Sequence, residues 1–271
     1  MCRSIPTADP GARSEDRAVP QGLRLPVRTH PQPDGTLLSL PIPTSESGRR
    51  FADLTHDGRT YSKVITQLGG SPATADGCCH LDPDLRPGSA PGWVPAFGQT
   101  GAAQTHLANQ GVGVGDLFLF FGRFRRTEHD TAGRLRYVRD APAQHIVFGY
   151  LQVGAIVRGE QIRDYPWHPH AENPNPLPNN TLYLVGDRLT FADAPGCGVL
   201  SYRDDRVLSA PGLAQSRWRL LDWMATTPIS YHSPSSFKDG YFQSAAKGQE
   251  FVLEVTPQAR AWAEALISEA S

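Results

Sequence analysis

Short apolar runs fill the second half of the chain, and their close spacing is typical of strands in an antiparallel sheet. The run DLFLFFG at 116–122 follows the turn GVGVG and is almost wholly apolar, so it predicts a core strand. A longer run, AQHIVFGYLQVGAIV at 143–157, predicts another strand after a polar hairpin region. Further strands are predicted at 135–140, 181–186, 189–191, 198–202, 205–210 and 250–255.

Helical periodicity is confined to a few segments. Residues 59–68 have a helical apolar stripe that ends at a Gly-Gly pair, and further helices are predicted at 98–110 and 217–224. A C-terminal helix is predicted to begin at Pro257, after the N-cap residue Thr256. The predicted fold class is therefore α+β: a mostly antiparallel β-sheet or a partly open barrel, with a few flanking helices.

The first part of the chain has a different character. Residues 1–33 mix charges, prolines and glycines with almost no periodicity, which predicts disorder. The turn signal Asp34-Gly35 then precedes the first apolar run. We therefore expect residues 34–271 to form a single domain, with residues 1–33 outside it.

Charge and cysteine content narrow the function classes. The net charge is −1 over 271 residues, so any affinity for nucleic acid must come from a local patch. Four cysteines in a chain of this length do not indicate a disulfide scaffold, and reduced thiols indicate a cytoplasmic protein. No apolar run approaches the length of a membrane span, and we expect no membrane association.

The first candidate site is the pair His80 and Asp82, in an H-x-D arrangement. Non-haem iron oxygenases use this spacing to place two of three metal ligands, because an imidazole and a carboxylate two residues apart on an extended segment point the same way. A divalent metal is therefore one candidate cofactor. The alternative is that Asp82-Pro83-Asp84 is a turn and that His80 is a hydrogen-bonding surface residue.

A second candidate pair consists of two histidines in the segment Trp167-His168-Pro169-His170, which is followed by Asn173. Two histidines at this spacing could supply the third metal ligand or bind a phosphate. The neighbouring aromatic residues and the long Pro/Asn loop favour a position at the edge of a site. We therefore take His80, Asp82, His168 and His170 as candidate catalytic residues.

Other residues are candidates for binding a substrate. Arg123 and Arg125 lie in a segment where arginines and aromatic residues alternate, which suits phosphate contacts and base stacking, although a solvated hairpin explains the pattern equally well. Asp116 opens the apolar strand as a turn or cap residue, or as part of a core like that of PUA-like barrels. The full set of candidate substrate-binding residues is Gln99, Asp116, Arg123, Arg125, Trp167, Asn173, Ser216, Gln249 and Glu250.

Several common enzyme classes are excluded by missing motifs. The sequence has no P-loop, no G-x-G-x-x-G opening a helix after a strand, no G-x-S-x-G and no C-x-x-C. P-loop nucleotide triphosphatases, simple Rossmann enzymes and α/β-hydrolases are therefore set aside.

A set of motifs in a fixed order resembles nucleotide modification associated domain 3, a family of bacterial and phage proteins linked to DNA base hypermodification. The motifs are PDGTLLSLPIP (33–43), CHLDPDLR (79–86), GWVPAFGQTGAAQTHL (92–107), GVGVGDLFLFFGRFR (111–125), WHPHAEN (167–173), NTLYL (180–184), SRW (216–218) and KGQEFVL (247–253). The resemblance places family-like polar positions at His80, Asp82, Asp84, Gln99, His106, Asp116, His168, His170, Gln249 and Glu250. It implies a nucleic acid or nucleotide as partner, and other base-modification enzymes as further partners.

Hypotheses of different classes remain open. The chain could be an enzyme that modifies or processes a nucleobase or nucleotide, with the histidine pairs near a base pocket. It could instead be a non-catalytic PUA-like reader of modified DNA, or an accessory subunit of a modification enzyme. The metal content of the purified protein would distinguish these hypotheses. A bound metal that is lost when His80 or His168 is replaced favours the enzyme.

The resemblance also implies a motif close to SRKGFDS-x-YGG shortly before residue 33, which this chain lacks. One GC-rich choice of codons for VPQGLRLPVR, residues 19–28, gives SRKGFDSPYG when it is read one base later. A frameshift in the N-terminal segment, with a compensating shift before Pro33, is therefore our hypothesis for its unusual composition.

Overall fold

The computed structural model describes residues 2–4, 28–31, 35–44, 48–86, 92–173, 176–244 and 250–268. In chain order the strands and α-helices are β1 (Cys2–Ser4), β2 (Arg28–Pro31), β3 (Ile42–Thr44), β4 (Thr55–His56), β5 (Arg59–Thr60), α1 (Tyr61–Gln67), α2 (Pro72–Ala75), β6 (Cys78–His80), β7 (Ala96–Gln99), α3 (Gly101–Asn109), β8 (Leu117–His129), β9 (Leu135–Tyr137), β10 (Ala143–Arg158), α4 (Pro169–Glu172), β11 (Thr181–Val185), β12 (Cys197–Val199), β13 (Arg217–Trp218), β14 (Phe237–Lys238), β15 (Tyr241–Gln243), β16 (Phe251–Leu253) and α5 (Pro257–Ile267).

The main sheet is built around the two long strands β8 and β10. Within the described ranges it has nine strands in the order β16-β1-β8-β10-β11-β7, with β2 and β9 also paired to β8 and β12 paired to β10. Most pairings are antiparallel, whereas β1 and β2 run parallel to β8. The path ends at β16 and β7, so these strands form an open sheet rather than a closed barrel.

Strand β8 is apolar on both faces because each face contributes to a separate core. Successive side chains of a strand point to opposite sides. Leu117 and Leu119 join the cluster that contains α5, whereas Phe118 and Phe120 join a second cluster on the other face. This arrangement explains why residues 117–121 have no polar alternation.

A smaller apolar cluster fixes β6, the strand that begins the candidate site. Thr60 caps α1 by accepting a hydrogen bond from the Lys63 backbone N–H, and α1 packs beside α2 over this cluster. Cys79 is 3% exposed and lies in the cluster. Because side chains alternate along a strand, its neighbour His80 points away from this core.

The predicted α+β class with a mostly antiparallel sheet is confirmed. The PUA-like comparison stays a prediction. None of the described helices has the length and apolar character that crossing a bilayer requires.

Three local predictions are wrong. The segment 217–224 is not a helix, because Arg217–Trp218 forms β13 and pairs with β15, and the Trp218 indole donates to His145 Nδ1 over 2.9 Å. Residues 189–191 and 205–210 do not form strands; a 3-10 turn covers Asp204–Arg206 and only single bridges follow it.

The predicted domain boundary at residue 33 stays a prediction, and most of residues 1–33 lie outside the described residues. The two described segments there, β1 and β2, both pair with β8.

Candidate metal centre

Three segments meet at the candidate site. Strand β6 ends at His80 and the chain continues to Asp82, while α4 begins with His168 as its N-cap and Pro169 at its first position. Between these segments passes β7, whose Gly98 backbone N–H donates to both carboxylate oxygens of Asp82, over 3.1 and 3.2 Å. The structure therefore brings together the four residues that the sequence offers as catalytic candidates.

Gly98 is required at this position for steric reasons. A Cβ atom there would lie 2.5 Å from His170 Cδ2 and 2.7 Å from His168 Cε1. Any side chain would push both imidazole rings away, so only glycine lets β7 approach the two histidines this closely. Sequence reasoning missed this residue; its signal was a glycine inside the buried strand AFGQ.

Asp82 is the centre of the cluster. Its carboxylate oxygens lie 3.6 Å from His80 Nε2, 3.6 Å from His168 Nε2 and 3.5 Å from His170 Nε2. The Asp82 side chain is 5% exposed, and burial alone would raise its pKa. Interactions with the neighbouring imidazoles, His168 first, outweigh burial and hold the pKa of Asp82 well below its usual range.

The protonation of His170 is fixed by Asn180. The Asn180 Nδ2 atom donates to the His170 backbone carbonyl over 3.1 Å, which identifies the other amide atom as the acceptor Oδ1. That Oδ1 lies 2.5 Å from His170 Nδ1, so Nδ1 carries the proton. Burial lowers the pKa of His170 to about 4, with Asp82 opposing the effect, and the ring is therefore neutral near pH 7. Its Nε2 lone pair faces Asp82.

His170 and Asp82 thus direct two acceptor atoms at each other across 3.5 Å in a buried environment. Two lone pairs at this distance repel unless a cation lies between them. A metal-ligating histidine with its second nitrogen hydrogen-bonded to a carbonyl oxygen is the usual arrangement in metalloproteins. Asn180 supplies that second bond here.

His168 has a different role. Its Nδ1 accepts the His170 backbone N–H over 3.3 Å, so Nε2 of this ring carries a proton. That Nε2 is buried, lies 3.6 Å from Asp82 Oδ1 and has no hydrogen-bond partner among the described residues. With its Nε2 protonated and facing Asp82, His168 is not a metal ligand.

The remaining three residues fit a metal ion. Ligand atoms of His80, Asp82 and His170 all lie within 4.8 Å of one another. A tetrahedral ion with bonds of about 2.1 Å separates its ligand atoms by about 3.4 Å, close to the measured contacts of Asp82. Two imidazoles and one carboxylate suit iron(II) or zinc and leave positions for other ligands. The His80 side chain is 33% exposed, which opens the cluster to solvent on that side.

Comparison with known families gives one match. The model of nucleotide modification associated domain 3 matches residues 27–254, most of the chain. The chain belongs to this family. The comparisons with curated proteins and with solved structures find no match.

The candidate metal ligands of this nucleotide modification associated domain lie within the matched range, as do the other candidate residues. Trp167 and Asn173 flank the two histidines of α4. The Trp167 ring packs edge-on against Tyr165, and its buried indole Nε1 has no hydrogen-bond partner among the described residues. Gln249 lies outside the described residues.

Gln99 and Glu250 form a separate buried pair. The Gln99 amide Nε2 donates to a carboxylate oxygen of Glu250. Because Gln99 follows Gly98 on β7, its side chain points to the opposite face of the strand from the histidine cluster. Burial raises the pKa of Glu250 to about 7.

The remaining candidates have structural partners. Asp116 closes the turn before β8 by accepting the Gly113 backbone N–H over 2.7 Å. Arg123 donates to the Gln215 side chain, and Arg125 donates to the Ala141 carbonyl. Ser216 accepts the Ser244 backbone N–H through its carbonyl oxygen. These contacts fit the turn and hairpin interpretations, and a binding role for these residues stays a prediction.

Proposed function

We propose that this protein is a divalent-metal-dependent enzyme that modifies or processes a nucleobase or nucleotide. The family name supports an association with nucleotide modification. One observation supports a bound metal: His170 Nε2 and Asp82 Oδ2 are both acceptors and lie 3.5 Å apart, since Asn180 fixes the tautomer of His170. We expect it to act in the cytoplasm, beside other base-modification enzymes.

Each residue of the cluster has a role in the proposal. His80, Asp82 and His170 hold the metal, Gly98 orients Asp82 by donating to its carboxylate, His168 packs 3.6 Å from that carboxylate, and Asn180 orients His170. A divalent metal supplies a Lewis acid there and lowers the pKa of a bound water. With only three protein ligands, a water or a substrate atom can bind beside it.

Metal content of the purified protein tests the proposal directly. We expect about one iron or zinc ion per chain, lost in His80→Ala and in His170→Ala. His129→Ala is the matched control, because His129 is exposed and bonds to Arg59 away from the cluster. Circular dichroism confirms that each variant folds. Equal metal content in His170→Ala and the control would contradict the assignment.

Mass spectrometry of nucleosides tests the reaction. Incubation of the metal-loaded protein with DNA and with nucleotide pools should yield a modified nucleoside that the His170→Ala variant does not produce. Tight binding to modified DNA by a metal-free protein, with no product, would instead favour the non-catalytic reader.

A further inference from the structure

A cavity lies beside the candidate metal centre, on the other side of residues 81–83, which follow β6. It has a volume of about 350 Å³. Leu81 and Pro83 line it, whereas the residues that alternate with them, His80 and Asp82, belong to the metal cluster. One segment, residues 80–83, therefore contributes to both sites.

Two arginines line the cavity and form no ion pair among the described residues. Arg49 and Arg86 both line it, and neither guanidinium forms an ion pair with a carboxylate in the part of the chain that the structure describes. Arg86 donates to the Tyr61 hydroxyl, which is neutral. No hydrogen bond of the Arg49 side chain is present among the described residues. An arginine that forms no ion pair has guanidinium donors available to an anion, and its planar fork matches carboxylate and phosphate oxygens.

The carboxylates at the cavity are engaged elsewhere. Asp84 accepts the Trp93 indole N–H over 2.9 Å and the Arg86 backbone N–H over 3.4 Å. Asp53 accepts the Arg50 backbone N–H over 3.3 Å. Both acids therefore have donors of their own, and neither forms an ion pair with Arg49 or Arg86 among the described residues.

The other residues that line the cavity suit contact with a base or a sugar ring. Tyr61, Phe148 and several leucines line the cavity together with the hydroxyls of Ser39 and Thr55. Pockets for small ligands are mostly apolar with a few converging polar groups, and volumes near 300 Å³ are at the lower end of their range. The cavity therefore has the size for one nucleotide and not for a polymer.

We infer that this cavity binds a nucleoside monophosphate, with Arg49 and Arg86 contacting the phosphate and Tyr61 and Phe148 contacting the base or sugar. The inference names a substrate class for the proposed function, and it rests on that function only in identifying the anion as a nucleotide. Arginine suits phosphate because its planar fork donates two parallel hydrogen bonds.

Calorimetric titration tests the inference with nucleoside 5′-monophosphates, the corresponding nucleosides, inorganic phosphate and short oligothymidylates with and without a 5′-phosphate. We expect at least one monophosphate to bind, its nucleoside to bind far more weakly, and phosphate to compete. Arg49→Gln and Arg86→Gln should each lower the affinity about tenfold or more. Arg163→Gln is the matched control, because Arg163 is exposed and pairs with Glu160 outside the cavity.

The outcomes separate the cavity from the metal centre. Arg49→Gln should keep its metal and lose nucleotide binding, whereas His170→Ala should lose its metal and keep nucleotide binding. Arg49→Gln also serves if Arg86→Gln fails to fold. Failure of every monophosphate to bind, equal affinity for nucleoside and monophosphate, or equal effects of Arg49→Gln and Arg163→Gln would overturn the inference. Tighter, arginine-dependent binding of the phosphorylated oligonucleotide would overturn the nucleoside monophosphate as the ligand and assign the phosphate site to the end of a nucleic acid.

Discussion

Gly98→Ala is the perturbation that tests the packing of the metal centre most directly. The added methyl group would lie 2.5 Å from His170 Cδ2 and 2.7 Å from His168 Cε1, well inside van der Waals contact. The strand cannot retreat easily, because β7 is paired with β11 from Ala96 to Gln99. The rings must therefore move.

Movement of the rings should lower both the stability of the fold and the affinity for the metal. Overpacking by one methyl group costs about 1–3 kcal/mol, which corresponds to a fall in melting temperature of roughly 3–10 °C. His170 is tied to Asn180 and His168 to the α4 backbone, so rotation of the rings breaks these bonds or turns Nε2 away from Asp82. Loss of such outer contacts weakens metal binding about 10–100-fold.

Metal affinity and thermal unfolding measure both effects. Calorimetric titration of the apo protein with zinc should show weaker binding for Gly98→Ala than for the parent chain. Gly113→Ala is the matched control, because a Cβ atom there would meet only a carbonyl oxygen at 3.7 Å. If Gly98→Ala binds zinc as tightly as the control and unfolds at the same temperature, the imidazoles do not pack against β7 as described.

Three further predictions concern other parts of the chain. Asn180→Ala frees the ring of His170 and should weaken zinc binding about tenfold or more, measured by the same titration. Burial raises the pKa of Glu250 to about 7 from an ordinary 4.5, so the folded state binds this proton more tightly than the unfolded state. Its contribution to stability is present below about pH 4.5 and is lost as the pH rises through about 7, by up to about 3 kcal/mol; urea unfolding should show this loss in the parent chain and not in Glu250→Gln. Sequencing the gene should find codons for residues 19–28 that give SRKGFDSPYG one base later, and codons that cannot do so refute the frameshift.

The strands and helices that sequence predicts well are those set by local patterns. The run 116–122 could be assigned because an apolar segment after a glycine-rich turn has few alternatives, and it became part of β8. Thr256 could be assigned as a cap from its own chemistry, and it accepts the Ala259 backbone N–H. Boundaries of this kind depend on neighbours in the sequence.

The segment 217–224 shows where local pattern fails. Its apolar residues have helical spacing, but two distant partners use them separately. Trp218 pairs with Phe242 of β15, whereas the Trp223 ring packs at a tilt against Trp262 of α5. Tertiary contacts outweigh the intrinsic preference of so short a segment.

The same distinction applies to the candidate site. The four residues could be found from the H-x-D and H-x-H spacings alone, although His170 lies in α4 and not on an extended segment. Asn180 and Gly98 could not, because their roles depend on the register between β7 and β11, where Gly98 is opposite Leu182. No local pattern specifies that pairing.

The β7–β11 register is therefore the feature on which the metal centre depends. A slip of one residue would reverse the faces of β7 and bring Phe97 or Gln99 to the position of Gly98. Either side chain would occupy the space of both imidazoles, and the N–H that Asp82 accepts would point elsewhere. Because Asn180 directly precedes β11, the same register also sets the tautomer of His170. One strand pairing thus controls the space for the rings, the orientation of the carboxylate and the lone pair that faces it.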